Sequence, residues 1–490
     1  MSVRELVPLR ARPSQPQRPT ASAIVIAVAL FLVYATYSWS RHRQYLTAGY
    51  DLGIFDQAVR HYAHFHAPMV SLKGPNFDLL GDHFHPVLVL LAPLYWIWAD
   101  PRMLLLAQAA LLAASALPVY RFSVRHIGRR PALVFMVAYG ASWPIQAMVD
   151  FDFHEVAFAV PLIALTIDAL DRHAYRTVFV CCVVLLAVRE DMGAFVVAVA
   201  LLLAFRHRVW LAAALAAIGV AGYLLATAIV LPALSPTHSF GYWSYDSLGP
   251  NLPSALWSSV RNPWRVVNSF FSPWRKSHTL IMLLAPTAFA AVGSTYLLLS
   301  LPFLAERFLS SREVLWTVHY QYSGVLAPIV AMAAVDTVGK LTRGIDSSRA
   351  VRIAFAGVAA AAVLVCTVFF VHLFPMTRLL NGRAFTWTKH MAAITQALRV
   401  VPSHVCVEAD DRFTPHLTGR DYVSLVGRNP ATTWLVIDHT HTVTGFDAPT
   451  PGFAQAQALS AGFKIVFEQD KVVVLHLDAP VQPFCAGPLD

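Results

Sequence analysis

The class of fold follows from residues 21–39, which read ASAIVIAVALFLVYATYSW and contain no charged residue. About 20 helical residues cross a bilayer core, so this run is long enough to span a membrane. Arg4, Arg10, Arg12 and Arg18 precede it, as basic residues also precede the apolar part of a signal peptide. The run is longer than the roughly 7–15 apolar residues of a signal peptide, and no small-residue cleavage site follows it. We therefore interpret it as a retained first span.

The composition of the whole chain is that of a membrane protein. Of the 490 residues, 57% are hydrophobic and 13% are charged, whereas soluble proteins carry about 25% charged residues. This excludes a soluble enzyme. The formal net charge is +9, and the basic excess lies in the apolar part of the chain. Arginines in short loops there indicate topology and contact with membrane lipid, so no nucleic-acid partner is expected.

Apolar runs of sufficient length predict further spans, and the basic clusters between them orient the chain. The predicted spans are residues 21–40, 102–120, 131–149, 209–231, 321–338 and 353–374, with a shorter one at 156–170. Residues 85–98 should lie in the outer interface, and 174–205 should form two short helices. Residues 279–305 should form a second hairpin or a broken helix. The count is about eleven crossings, with the N-terminus in the cytoplasm and the C-terminus outside.

The predicted fold class is an all-α polytopic membrane protein with a small extracytoplasmic α/β domain at its C-terminus. Its parts are a disordered cytoplasmic segment 1–20, a transmembrane domain 21–376 with external loops 41–101 and 232–278, and a soluble domain 377–490. Short β-branched runs at 405–407, 434–437, 464–467 and 472–475, with a helix at 452–461, define that last domain. Cys406 and Cys485 could form a disulfide there if the domain faces an oxidising compartment.

The first external loop contains two aspartates and several histidines with catalytic potential. Asp51 and Asp56 lie five residues apart, so on one helix they would point in different directions. We therefore take Asp51 alone as the candidate general base that accepts a proton from an acceptor hydroxyl. The alternative is that Asp51 caps a helix that starts at Leu52.

The same loop raises the question of a metal. Pairs such as His64 with His66, or His83 with His85, alternate as metal ligands on a strand or loop do, but recognisable third and fourth ligands are missing. A divalent cation held jointly by Asp51, Asp82 and a substrate phosphate stays open as an alternative.

Four further polar clusters are predicted on the same outer face. They are Asp150, Asp152, His154 and Glu155; then Arg189, Glu190 and Asp191; then His319 and Tyr320; and finally Arg261, Arg265 and Arg275. Charges within apolar segments are costly and by default indicate a functional site. The alternatives are solvated carboxylates, an internal ion pair that locks the hairpin, and a basic and aromatic interface belt. One cavity lined by these groups would suit an amphipathic substrate with an anionic headgroup.

These motifs resemble those of the bacterial membrane-protein family known as domain of unknown function 2079. The resemblance rests on residues 50–57, 82–86, 93–95, 152–155, 189–191, 319–320 and 414–420. That family is similar to the polytopic glycosyltransferases of the C-type fold (GT-C), which take a sugar from a polyprenyl-phosphate donor on the outer side of the membrane. The resemblance implies that the catalytic base lies in the first external loop, where Asp51 has the matching place.

The residues and the resemblance together predict a membrane glycosyltransferase of the bacterial plasma membrane. It would move a sugar from a polyprenyl-phosphate donor to a hydroxyl of an envelope glycan, lipid or protein acceptor. Asp51 is the predicted catalytic residue. The predicted substrate-binding residues are Asp56, His83, His85, Asp152, His154, Glu155, Arg189, Glu190, Asp191, Arg261, Arg265, Arg275, His319 and Tyr320. The alternatives are a transporter or flippase of an amphipathic substrate, and an inactive scaffold.

Overall fold

Six helical stretches of the described chain are long and apolar enough to cross a membrane. The computed structural model describes residues 18–239, 241–344, 349–371, 374–445, 448–480 and 482–485, so residues 1–17 of the predicted N-terminal segment lie outside the described part. The six stretches are Ala21–Arg43, Arg102–Ile127, Arg129–Asp150, Val209–Leu234, Gln321–Gly344 and Val351–Phe369. Each coincides with a full-length predicted span. The total of eleven crossings stays a prediction.

The helices of the first half of the chain, including the predicted hairpin, pack into two buried apolar clusters. Their bounds are α1 (Ala21–Arg43), α2 (Ile54–Ala63), α3 (Ala92–Tyr95), α4 (Arg102–Ile127), α5 (Arg129–Gly140), α6 (Trp143–Asp150), α7 (Ala159–Asp171), α8 (Tyr175–Leu185) and α9 (Met192–Phe205). The segment predicted to lie in the interface forms a 3₁₀ helix, Pro86–Leu91, followed by α3. The two short helices predicted at 174–205 are α8 and α9, with Arg189, Glu190 and Asp191 between them.

The second half of the helical region is less regular. Its helices are α10 (Val209–Leu224), α11 (Leu231–Leu234), α12 (Leu252–Arg261), α13 (Pro263–Phe271), α14 (Trp274–Leu284), α15 (Leu301–Leu309), α16 (Leu326–Gly344) and α17 (Arg349–Val371). Between α14 and α15 the chain makes three 3₁₀ turns, and Ala288 and Phe289 have φ angles of +47° and +58°. The expected broken helix in this region is therefore confirmed.

The tail folds as a mixed sheet with flanking helices. Its elements are α18 (Thr377–Leu380), α19 (Lys389–Val400), β1 (Cys406–Ala409), β2 (Tyr422–Leu425), β3 (Trp434–Asp438), α20 (Pro451–Ser460), β4 (Lys464–Gln469) and β5 (Val472–His476). The strand order is β2-β1-β3-β5-β4, with β1 parallel to β2 and β3, and β5 antiparallel to β3 and β4. The predicted strands and helix are present, whereas β2 and α19 were not predicted. Cys406 and Cys485 are joined by a disulfide.

The first loop and the C-terminal sheet share one hydrophobic core. Leu52 and Phe55 of the loop are buried in the same cluster as Phe413 and Val436 of the tail. Burial of such side chains is worth about 25 cal/mol per Å² of apolar surface. The C-terminal domain therefore packs directly on the segment that carries Asp51, and this packing positions the candidate site.

Candidate functional site

Asp51 lies in a π-helical turn, Gly49–Gly53, that leads directly into α2. The helix α2 begins at Ile54 and has Gly53 as its N-cap. The alternative that Asp51 caps a helix starting at Leu52 is therefore wrong. A π-helical turn is uncommon and often occurs at functional sites. It leaves the Asp51 side chain partly exposed, at 23%.

His154 is the direct partner of Asp51. The Asp51 Oδ1 atom lies 3.2 Å from His154 Nε2. His154 Nδ1 lies 3.0 Å from the carbonyl oxygen of Phe151, which can only accept, and this assigns a proton to Nδ1. Burial alone lowers the pKa of His154, but the hydrogen bond to Asp51 and the nearby carboxylates raise that pKa above its ordinary value. Asp51 and His154 therefore form a hydrogen-bonded pair across two distant segments of the chain.

Asp152 lies close to this pair and is almost fully buried. Arg41 Nη1 lies 2.5 Å from one of its carboxylate oxygens, and the N–H of Ala48 donates to the other at 2.7 Å. Burial raises the pKa of Asp152 to about 6, the charge of Arg41 lowers it, and the charge of Asp51 raises it. Asp150 is 3.1 Å from the same Arg41. The two aspartates thus hold Arg41 and the entry to the π-helical turn.

Arg189 is surrounded by three carboxylates. Its Nε donates to Asp191 Oδ1 at 2.9 Å, and its terminal nitrogens lie 3.7 Å from Glu155 and 3.6 Å from Glu306. This network joins the hairpin apex to the segment between α6 and α7, which carries Glu155, and to α15. The internal ion pair considered for the hairpin is therefore present. Glu306 was not predicted, although a carboxylate in the apolar segment 301–309 was a usable signal.

His83 and Glu190 join the first loop to the hairpin. His83 Nδ1 lies 2.7 Å from Glu190 Oε1, and the N–H of Phe84 donates to Oε2 at 3.0 Å. The His83 ring stacks on Tyr242 at 4.1 Å, and Tyr242 donates to Asp82. Burial lowers the pKa of His83, but Glu190 raises it above its ordinary value overall. The loop 232–278 therefore also contributes to this group.

Two predicted residues of the first loop have buried surroundings. Asp56 is fully buried, 3.3 Å from Arg60 and 2.6 Å from the Tyr95 hydroxyl. Its carboxylate oxygens are thus occupied inside the loop. His85 is 1% exposed, and its Nδ1 has no hydrogen-bond partner among the residues that the structure describes. Its ring contacts Phe55, which also contacts the His154 ring.

The remaining predicted residues are dispersed. Tyr320 packs edge-on against Phe151 at 4.9 Å, next to His154, while His319 lines a cavity beside Arg41. Arg275 pairs with Glu313 at 2.8 Å, and both side chains are about two-thirds exposed. Arg261 and Arg265 are exposed as well. Within the described chain, no contact joins these three arginines to Asp51 or its neighbours.

The divalent-cation alternative has no ready-made cluster of ligands. No group of three or more His, Cys, Asp or Glu side chains is placed to hold a metal ion within the described ranges. His64 Nδ1 is 2.9 Å from the carbonyl oxygen of Arg60, and His83 is engaged by Glu190. The protein ligands that the cation alternative named, Asp51 and Asp82, are already paired with His154 and Lys73.

The C-terminal domain adds a carboxylate that sequence reasoning missed. Asp411 follows the carboxyl end of β1, the edge of a parallel sheet where binding sites form. Its carboxylate accepts from the N–H of Tyr50 at 2.9 Å, and its carbonyl accepts from Gly49 at 2.8 Å. Burial raises the pKa of Asp411 to about 7, the N–H of Tyr50 lowers it, and the charge of Asp51 raises it. The usable signal was the Asp410-Asp411 pair, which follows the β-branched run 405–407 after two residues.

This fold and this site define a polytopic membrane protein with a cluster of carboxylates, imidazoles and an arginine where its loops meet a small α/β domain. The chain belongs to the family described as "Predicted membrane protein (DUF2079)", which matches residues 41–449. The sequence resemblance to that family is thereby confirmed. No curated protein matches the chain.

Two solved structures of ArnT from Cupriavidus metallidurans share this fold. The one bound to undecaprenyl phosphate has a TM-score of 0.53 at 12% identity and covers 95% of this chain and 100% of its own. The apo structure has a TM-score of 0.51 at 13% identity, with 92% and 97% covered. At these identities the likeness shows the fold alone.

Proposed function

We propose that this protein transfers a glycosyl group from a polyprenyl-phosphate donor to an acceptor hydroxyl at the outer face of a bacterial plasma membrane. The observation that carries the proposal is the Asp51–His154 pair, held where the first loop, the segment between α6 and α7, and the C-terminal domain meet. The fold shared with a structure that contains undecaprenyl phosphate supports a polyprenyl-phosphate donor.

In this proposal Asp51 is the general base. It accepts the proton of the acceptor hydroxyl while that oxygen attacks the anomeric carbon and the bond from this carbon to the phosphate oxygen breaks. The configuration at the anomeric carbon is inverted, and polyprenyl phosphate leaves with the electron pair of the broken bond. His154 holds Asp51 Oδ1 at 3.2 Å, and in this proposal the other carboxylate oxygen receives the proton. A positioned base of this kind accelerates a reaction by about 10²–10⁴.

The leaving phosphate needs nearby positive charge, because charge develops on it as the bond breaks. Arg189 supplies one guanidinium in this proposal, although its three carboxylate neighbours reduce its effect. Arg312 is a better second ligand than Arg261, Arg265 or Arg275. Its guanidinium lies 5.8 Å from the centre of the Tyr242 ring, and it forms no ion pair with a described residue.

The test is transfer of label from polyprenyl-phosphate sugars by the purified full-length protein. Asp51→Asn should lower the rate by about 100-fold or more, since it removes the base and keeps the shape. Asp246→Asn is the matched control, because Asp246 is an exposed aspartate of the neighbouring loop 232–278. A folded Asp51→Asn protein with full activity contradicts the base assignment. Donor movement across a vesicle membrane without transfer would instead favour the flippase alternative.

A further inference from the structure

A cavity of about 510 Å³ lies beside Arg41, where α1 and α6 end and the chain enters the C-terminal domain. Its lining includes Arg41, Asp150, His319, Phe374, Arg378 and Arg412. These residues come from five separate parts of the sequence. Only the fold brings these residues together: Asp150 and His319 were in predicted polar clusters, whereas Arg41, Arg378 and Arg412 were not.

The charge of this cavity is positive. Three guanidinium groups and one carboxylate line it. The charge of Arg41 is balanced by Asp150 and Asp152, at 3.1 Å and 2.5 Å. Arg378 and Arg412 form no ion pair with any residue in the described part of the chain. The cavity thus presents two guanidinium groups that have no direct ion-pair partner among the described residues.

The hydrogen bonds of Arg378 are incomplete. One terminal nitrogen donates to Gln44 Oε1 at 2.6 Å. Its Nε is buried and has no acceptor among the described residues. A buried donor of a charged group without an acceptor is costly, so such a group indicates a missing partner. Arg412 Nη1 lies 2.8 Å from His441 Nε2, and its side chain is exposed.

The cavity also has an apolar wall, and lipid-facing spans lie beside it. Ala147, Val318 and Phe374 line it beside the arginines. The two spans whose ends flank it, Ala21–Arg43 and Val351–Phe369, are only 28% and 17% buried within the protein, so most of their apolar surface faces the bilayer. We therefore expect a molecule with an apolar chain and an anionic headgroup to approach the cavity from the adjoining leaflet.

We propose that this cavity binds the phosphate group of an amphipathic molecule, with Arg378 and Arg412 as its ligands. The guanidinium fork matches a phosphate through paired hydrogen bonds, and the apolar wall contacts the first carbons of the attached chain. Arg41 separates this site from Asp51, because it pairs both with Asp150 in the cavity wall and with Asp152. The proposal does not depend on the transfer reaction.

The test is calorimetric binding of dioctanoyl phosphatidic acid to the purified full-length protein in detergent. Dioctanoylglycerol, which lacks the phosphate, and inorganic phosphate, which lacks the chains, are the comparison ligands. We expect phosphatidic acid to bind most tightly of the three. Arg412→Gln and Arg378→Gln should each weaken its binding by about tenfold or more.

Two further variants make the result specific. Arg399→Gln removes the same charge from an exposed position on α19 and should leave binding unchanged. Arg378→Lys keeps the charge without the fork and should give an intermediate affinity, which separates lost binding from lost folding. Unchanged binding by Arg412→Gln and Arg378→Gln overturns the proposal. So does a dioctanoylglycerol affinity equal to that of phosphatidic acid, and equal affinity for inorganic phosphate overturns the amphipathic ligand.

Discussion

Asp411 makes the stability of the folded chain depend on pH. Burial raises its pKa from 3.8 to about 7, so the folded protein holds a proton that the unfolded chain releases. A raised pKa contributes stability that is complete below the unfolded value and is lost as pH rises through the folded value. The loss is about 1.4 kcal/mol for each pH unit between the two values.

Asp411→Asn should remove this dependence, because the amide oxygen still accepts from the N–H of Tyr50 but does not titrate. Relative to the wild type, the variant should gain thermal stability between about pH 5 and about pH 8. Thermal midpoints of the detergent-purified protein at both pH values measure this gain. Asp246→Asn, which changes an exposed carboxylate, should show none. An equal offset at both pH values would contradict the assignment.

For individual residues, the sequence could indicate candidate site residues but not which of them contact each other. Asp51 and His154 were both predicted, yet 103 positions separate them, and only the fold places them 3.2 Å apart. Asp56 resembles Asp51 in the sequence but is fully buried against Arg60. The neighbouring sequence does not show which of the two aspartates is buried. Asp411 was missed because its partner, Tyr50, lies 361 positions away.

Among the elements, the α9–α10 crossing depends on two facing glycines. A Cβ on Gly193 would lie 2.5 Å from the carbonyl oxygen of Gly219, and a Cβ on Gly219 would lie 2.9 Å from that of Gly193. Small residues of this kind let membrane helices approach closely. The helices cannot keep this distance if either residue gains a side chain.

Gly193→Ala should therefore destabilise the protein by roughly 1–3 kcal/mol, since α9 and α10 must move apart. Gly357→Ala in α17 is the matched control, because no heavy atom lies within 4 Å of its added Cβ. That control should be neutral or slightly stabilising, as alanine favours helix more than glycine does. Thermal unfolding in detergent compares the two variants. Equal midpoints would show that the close glycine contact is dispensable.

Helices and strands could be predicted where the sequence pattern that specifies them lies within the segment itself. The six long spans follow from run length, and the break between α14 and α15 from Pro286, Gly293 and Pro302. The strand β2 was missed because Tyr422–Leu425 contains a single β-branched residue, Val423. It is a strand because it pairs in parallel with β1, which is a long-range effect.

On the scale of the whole molecule, the first loop and the C-terminal domain behave as one packed unit. Gln44 Nε2 donates to the carbonyl oxygens of Arg383 and Thr386 at 2.9 Å and 2.8 Å, and His42 stacks on His416 at 4.1 Å. The predicted boundary at residue 377 separates segments that share this packing. Sequence patterns mark where a chain changes character, but they do not show which distant segments share a core.

The orientation of this unit is a prediction that the disulfide supports. Cys406 and Cys485 are joined, and such bridges persist in oxidising compartments. The basic cluster at the α4–α5 connection predicts that Arg130 faces the cytoplasm. With the free cysteines Cys181, Cys182 and Cys366 replaced by alanine, Ser460→Cys at the exposed end of α20 should react with a membrane-impermeant maleimide in intact spheroplasts. Arg130→Cys, at an equally exposed position, should react only after lysis. The reverse pattern would place Asp51 on the cytoplasmic side and exclude transfer at the outer face.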